Sequence, residues 1–171
     1  MRTILIPTDF TVNSLLPVKK ILQVNGSDEV RILLFHCVHA PDSITDLLLF
    51  SKPREIRRLS GTEFSDACEI IRHRFAPALN SLVIDLFMGN THSAFENFVE
   101  GWHADAVCLA KQMTYAKPSA QSADPMPFIK KSPVPVLEMD IEIPASPLTR
   151  NRLAALFLET EKNTTDHVAE R

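Results

Sequence analysis

Asp9 stands at the end of a short apolar run in the stretch ILIPTDFTVNS. A carboxylate between a buried strand and a helix can accept hydrogen bonds from a ribose, a base or its own turn. The residues alone leave both roles open. His36 and His39 are spaced H-x-x-H. On a strand, residues three apart point to opposite faces, so the two cannot easily share a metal. His36 is therefore expected to be a hydrogen-bonded core histidine. His92 and His103 have no Cys, Asp or Glu at ligand spacing on one face, so no zinc site is expected. Cys37 with His39 nearby has the residue types of a thiol nucleophile. The charged partner or helix N-terminus that would activate it is not visible. Arg54, Arg57 and Arg58 follow Pro53 and read as a solvated helix face or a grip for an anionic partner. No base, metal ligand or oxyanion cradle emerges, and no catalytic residue is assigned.

The elements that must position these groups alternate in type. Thr3–Pro7 is a continuous apolar run, the pattern of a strand buried on both faces. Leu15, Leu16, Val18, Ile21 and Leu22 then recur at helical spacing. Pro17 belongs in a first turn, so a cap at Asn13 or Ser14 is expected. Gly26 and Ser27 make a turn. Val30–Val38 is the second buried strand. A short helix is expected within Ser43–Phe50. Phe64, Ala67, Cys68, Ile71 and Phe75 mark an amphipathic helix limited by Pro77. Leu82–Met88 is the third strand, closed by Gly89. Ser93 with Glu96 suggests a capping box for a helix carrying Phe95, Phe98, Val99 and Trp102. Ala106–Ala110 is the fourth strand. Asp124-Pro125 starts a helix that ends before Pro133. Val134–Met139 is the fifth strand, and Pro135 inside it places it at an edge. Leu148–Leu158 is a candidate last helix, and Asn163–Arg171 is expected to fray. Such alternation predicts an α/β fold with one doubly wound parallel sheet, helices on both faces and right-handed crossovers. Residues 1–140 form that domain and 141–171 a partly helical extension.

The bulk numbers narrow the class. The chain has 171 residues, 45% hydrophobic and 23% charged, as a soluble globular protein does. A net charge of −3 offers no basic field for nucleic acid or an anionic membrane, and neither is expected as a partner. No apolar run approaches the roughly 18 residues of a spanning helix. No signal peptide is visible at the N-terminus. Cys37, Cys68 and Cys108 each lie inside an apolar pattern, so buried free thiols are expected rather than disulfides. A cytoplasmic location fits these features.

Five ordered stretches resemble the universal stress protein family: ILIPTDFTVNS, ILLFHCV, the Gly89 turn, ADAVCLA and FIKKSPVPVLEMD. They cover roughly Met1 to Asp140. The resemblance implies a five-stranded parallel sheet in the order 3-2-1-4-5. It also implies a nucleotide site, because ATP-binding members carry glycine-x2-glycine-x9-glycine and then serine or threonine after strand four. Glycines there let backbone N–H groups approach phosphate oxygens. Here Ala110, Met113 and Ser122 stand where those glycines would, and Ala123 stands near the hydroxyl position. The four glycines of the chain all lie elsewhere. Asp9 and Val38 match positions that contact adenosine. The implied site, with Pro7, Thr8, Asp9, Val38, Ala110, Met113, Ser122 and Ala123, is thus vestigial. No cofactor is expected, with ATP the disfavoured alternative.

In that family the last strand pairs across a two-fold axis. The resemblance implies a homodimer through Val134, Val136, Leu137 and Met139. Leu153, Leu156 and Phe157 of the extension would cover that seam or fold back on their own subunit. Three functions compete. One is a non-enzymatic stress-response protein acting through partners the sequence does not name. Another is a small-molecule or adenine-nucleotide module using the Asp9 edge. The third is an enzyme such as a nucleotide hydrolase, for which the chemistry is missing. The first is the expected one.

Overall fold

The computed structural model describes residues 1–25, 28–144 and 155. The chain runs β1 (Arg2–Pro7), a 3-10 turn (Val12–Leu15), α1 (Leu16–Val24), β2 (Val30–Cys37), α2 (Ile44–Leu49), α3 (Lys52–Leu59) and α4 (Thr62–Arg74). It continues with β3 (Leu79–Phe87), α5 (His92–Gly101), β4 (Ala106–Ala110), α6 (Met126–Ile129) and β5 (Val136–Met139). The five strands form one parallel sheet in the order β3-β2-β1-β4-β5. That is the expected fold, down to the strand order. The Gly26–Ser27 turn lies outside the described residues. So do Leu153, Leu156, Phe157, nearly all of Leu148–Leu158, and Asn163–Arg171.

Strand residues alternate between the two faces, and each face has its own core. Ile4, Ile6, Ile32 and Leu34 point to an aliphatic layer closed by Val18 and Ile21 of α1 and by Phe64, Ala67 and Ile71 of α4. Leu5, Leu33, Phe35 and Val107 point to a second layer closed by Phe95 and Val99 of α5 and Ile129 of α6. That second layer is aromatic. Phe87 meets Phe95, Phe98 and Phe128 with ring centroids 5.3, 5.4 and 5.1 Å away. Gly89 follows two residues after Phe87, and a Cβ there would lie 2.5 Å from Phe87 Cζ and 2.7 Å from Ala94 Cβ.

Local chemistry shifts several expected boundaries. Pro17 does sit in the first turn of α1, but α1 begins at Leu16 and not at Asn13 or Ser14. A 3-10 turn starting after Thr11 takes those residues instead. The Ser93–Glu96 capping box does not form. Thr91 is the N-cap of α5, its hydroxyl accepting from Ala94 N at 3.1 Å. β3 begins three residues earlier than Leu82, because Leu79 pairs with Val30 across a register shift. β5 starts after Pro135, whose carbonyl still accepts from Val107 N at 2.9 Å. A proline without an N–H suits that position at a sheet edge.

The opposite edge, β3, is guarded by a charge. Asp85 Oδ1 accepts from Lys52 Nζ of α3 at 2.9 Å, and Oδ2 accepts from Trp102 Nε1 at 3.1 Å. One carboxylate thereby ties α3 and the end of α5 to the edge strand. Among the described residues, no helix is long and apolar enough to cross a membrane.

Candidate functional site

The binding edge of an open parallel sheet is the C-terminal end of its strands, at the point where strand order reverses. Here that point lies between β1 and β4. Their pairing stops at Leu5 with Val107, whereas β1 continues beside β2 to Pro7 and β4 beside β5 to Ala110. A crevice therefore opens beyond Leu5 and Val107. Pro7, Thr8 and Asp9 flank it from one side and Ala110 from the other.

Residues 111–123 cross this crevice as a strap. Lys111 N donates to Met139 O at 3.0 Å, beside β5. Ala116 N donates to Asp9 Oδ2 at 2.8 Å, over the end of β1. His39 N donates to Gln121 O and Ala123 N to Cys37 O, each at 2.8 Å, beside the end of β2. Val38 and Ser122 form an isolated antiparallel bridge. The chain thus spans four strand ends before entering α6.

Asp9 is buried, with 3% of its surface exposed. Besides Ala116 N, its carboxylate accepts at Oδ1 from Thr11 N (3.0 Å) and Thr11 Oγ1 (2.6 Å). The turn is made possible by Phe10, which adopts φ 60°. A phenylalanine in the left-handed region costs about 1–2 kcal/mol. Its buried ring offsets this by packing edge-on against His36 and Phe64, with centroids 5.2 and 5.4 Å away.

A second lock lies one residue pair further on. His36 Nδ1 donates to Thr8 O at 2.7 Å, which leaves Nε2 of the neutral ring as an acceptor. Ser122 Oγ lies 2.9 Å from Nε2 and donates to it. Ser122 Oγ in turn accepts from Ser119 N at 3.1 Å and lies 3.1 Å from Ser119 Oγ. Burial pulls His36 below the usual histidine range. The Thr8 carbonyl, and then Asp9 and Glu55, oppose that pull more weakly. Thr8 Oγ1 accepts from Phe10 N at 3.1 Å and bonds Ser14 Oγ at 2.7 Å. Thr8, Ser14 and Ser122 are thus consumed inside the protein.

Tyr115 lies in the middle of the strap. Its hydroxyl is buried and has no hydrogen-bond partner among the described residues, and burial pushes its pKa up, with Asp9 and Cys108 adding to the shift. The residues picked out by resemblance therefore meet at one place. Thr8, Asp9, Val38, Ser122 and Ala123 are joined through the strap, and Pro7 ends β1 beside them. Ala110 and Met113 lie at the strap's root, where Met113 N donates to Ala110 O at 3.2 Å. Sequence reasoning passed over Ala116 and Ser119, which hold the strap by backbone N–H groups that side-chain type does not reveal.

The other candidates separate. His36 is a hydrogen-bonded core histidine as expected, while His39 is exposed. Cys37, Cys68 and Cys108 are free and buried, and burial pushes each thiol up to about 12. Among the described residues no cluster of three or more His, Cys, Asp or Glu is placed to hold a metal ion. Arg58 is engaged by Glu55, with Nε on Oε2 at 2.9 Å and Nη2 on Oε1 at 2.5 Å. Beside the strap, α2, α3 and the turn after β3 enclose an open cleft of about 1210 Å³. Ala120 and Gln121 at the strap's tip contribute to its lining, and Asp9 does not.

At the β5 edge, Val134, Val136 and Met139 are half-buried against their own subunit's core. Leu137 is 42% exposed.

No protein-family model matches the sequence. No curated protein matches it either. Solved structures do. The universal stress protein UspA from Lactobacillus plantarum aligns with a TM-score of 0.51 at 14% identity, over 81% of this chain and 97% of that one. A universal stress protein in complex with cAMP aligns with a TM-score of 0.46 at 18% identity, over 81% and 96%. A universal stress protein family protein from Arabidopsis thaliana with AMP bound gives 0.47 at 11%, over 86% and 98%. The Lactobacillus protein shows what this chain shares with its neighbours, which is the five-stranded parallel α/β fold.

Proposed function

We propose that this chain is a non-enzymatic, cytoplasmic protein of the universal stress type that works as a homodimer through protein contacts and binds no ATP. The observation that carries this reading is the 2.8 Å bond from Ala116 N to Asp9 Oδ2. It gives the carboxylate at the adenosine-contacting position to the protein's own backbone. The strap's second anchor, His36 with Ser122 at 2.9 Å, supports the same reading. A nucleotide at Asp9 would have to displace both. It would then meet a strap with a Cβ on every residue, where a phosphate cradle needs bare backbone.

The enzymatic reading has less support. His36 is held neutral by burial, and the three thiols sit too high to ionise near neutral pH. For the dimer, the support is the exposed Leu137 on an edge strand whose outer backbone groups need a partner or a cover.

The test is to purify the protein, release bound small molecules by denaturation and identify them by mass spectrometry. A thermal-shift series with ATP and magnesium accompanies it, since a ligand at about a hundred times its Kd stabilises by roughly 2.7 kcal/mol. The expected outcome is no co-purifying nucleotide and no shift at millimolar ATP. An adenine nucleotide at near-stoichiometric yield defeats the proposal and restores the Asp9 edge as a binding site.

A further inference from the structure

The open cleft beside the strap takes Ala120 and Gln121 from the strap but none of Pro7, Thr8, Asp9 or Ala110, the residues that flank the crevice. Most of its wall comes from residues 39–58, which lie between the stretches that carry the family resemblance. At about 1210 Å³ it slightly exceeds the range of small-molecule sites, roughly 300–1,000 Å³.

Its charges are unevenly committed. Arg58 and Glu55 neutralise each other through two hydrogen bonds. Arg54, one turn earlier on α3, makes no ion pair or side-chain hydrogen bond among the described residues. The carboxylates of Asp42 and Asp46, from the loop before α2 and from α2 itself, make none either. Between these charged groups the lining includes Leu49, Phe50 and Met88. Leu49 is 72% exposed, and no side chain of α2 is buried. A wall of this kind gains by being covered.

The combination selects a ligand class. Two uncommitted carboxylates repel a purely anionic ligand, and a purely cationic one leaves the guanidinium without a counter-ion. We propose that the cleft binds a hydrophobic zwitterion, an amino acid or short peptide with free termini. Its carboxylate pairs with Arg54, its ammonium group with Asp42 and Asp46, and its apolar side chains lie over Leu49, Phe50 and Met88.

Isothermal titration of the full chain with the dipeptide phenylalanyl-leucine tests this, alongside its N-acetyl and C-terminal amide forms. The dipeptide is expected to bind, and each capped form to bind about tenfold more weakly. Arg54→Ala is expected to weaken the free dipeptide by about tenfold while leaving the amide unaffected. Asp42→Asn with Asp46→Asn should do the same for the free dipeptide relative to its N-acetyl form. Equal binding of the capped and free peptides overturns the proposal, and so does the absence of any heat with millimolar dipeptide. The comparison of capped peptides uses the unmodified protein, so it stands even where a variant is unstable.

Discussion

Ala116 donates its backbone N–H to Asp9 Oδ2 at 2.8 Å, so a carboxylate at the end of β1 holds a residue 107 positions later in the chain. Asp9→Asn turns one acceptor oxygen into an N–H donor facing another donor. The exchange costs about 1–3 kcal/mol. At this chain length each kcal/mol lowers Tm by about 2–4 °C. Amide hydrogen exchange should accelerate most across residues 111–123. Uniform acceleration over the whole sheet would count against the strap being a separate unit.

His36 gives the protein a pH dependence whose sign follows from its burial. The folded state holds it below the ordinary 6.5, whereas the unfolded chain titrates near that value. Below about 6.5 the unfolded state binds a proton that the native state refuses. The contribution is therefore complete above that pH and is lost as pH falls towards the depressed folded value. Urea midpoints measured from pH 7 down to pH 5 should fall, and His36→Gln should flatten that segment of the curve. An unchanged slope in the variant would assign the loss to other groups.

Gly89 supports the aromatic face through the space it leaves. In Gly89→Ala the new methyl meets Phe87 Cζ at 2.5 Å. Phe87 is 3% exposed and ringed by other phenylalanines, so it has little room to retreat. Overpacking of this kind costs about 1–3 kcal/mol. Chemical denaturation that leaves the variant as stable as the parent would show that β3 and α5 can part.

The β5 edge predicts an oligomer. Sedimentation at micromolar concentration should show a dimer, and Leu137→Lys should shift it to monomer with the monomer still folded. A parent protein that sediments only as monomer would exclude pairing through this strand.

Much of this architecture is legible in residue types. Pro17 and Pro135 each place an element boundary to within a few residues, because a missing N–H is tolerated at few positions. The unbroken apolar run of Thr3–Pro7 identifies a strand covered on both sides. Other features rest on relations that residue types do not carry. Ser93 and Glu96 have the spacing of a capping box, yet Thr91 caps the helix, since any nearby hydroxyl can do so. Asp9 is recognisable as special, but its partner is a backbone amide on a distant loop. The cleft is built from a stretch without a motif, where only the fold sets Arg54, Asp42 and Asp46 in one lining.

Trp102 and Tyr115 are the one tryptophan and the one tyrosine of the chain. The indole packs with the aromatic layer and donates to Asp85, while the phenol is enclosed in the strap. Each is a single-copy chromophore in a different part of the molecule. Indole emission follows the unfolding of the sheet, and tyrosine absorbance follows the lifting of the strap from the crevice. The protein thus carries two optical reporters in different parts of the molecule without any label. Read together during a titration, they distinguish a ligand that opens the crevice from one that merely tightens the fold.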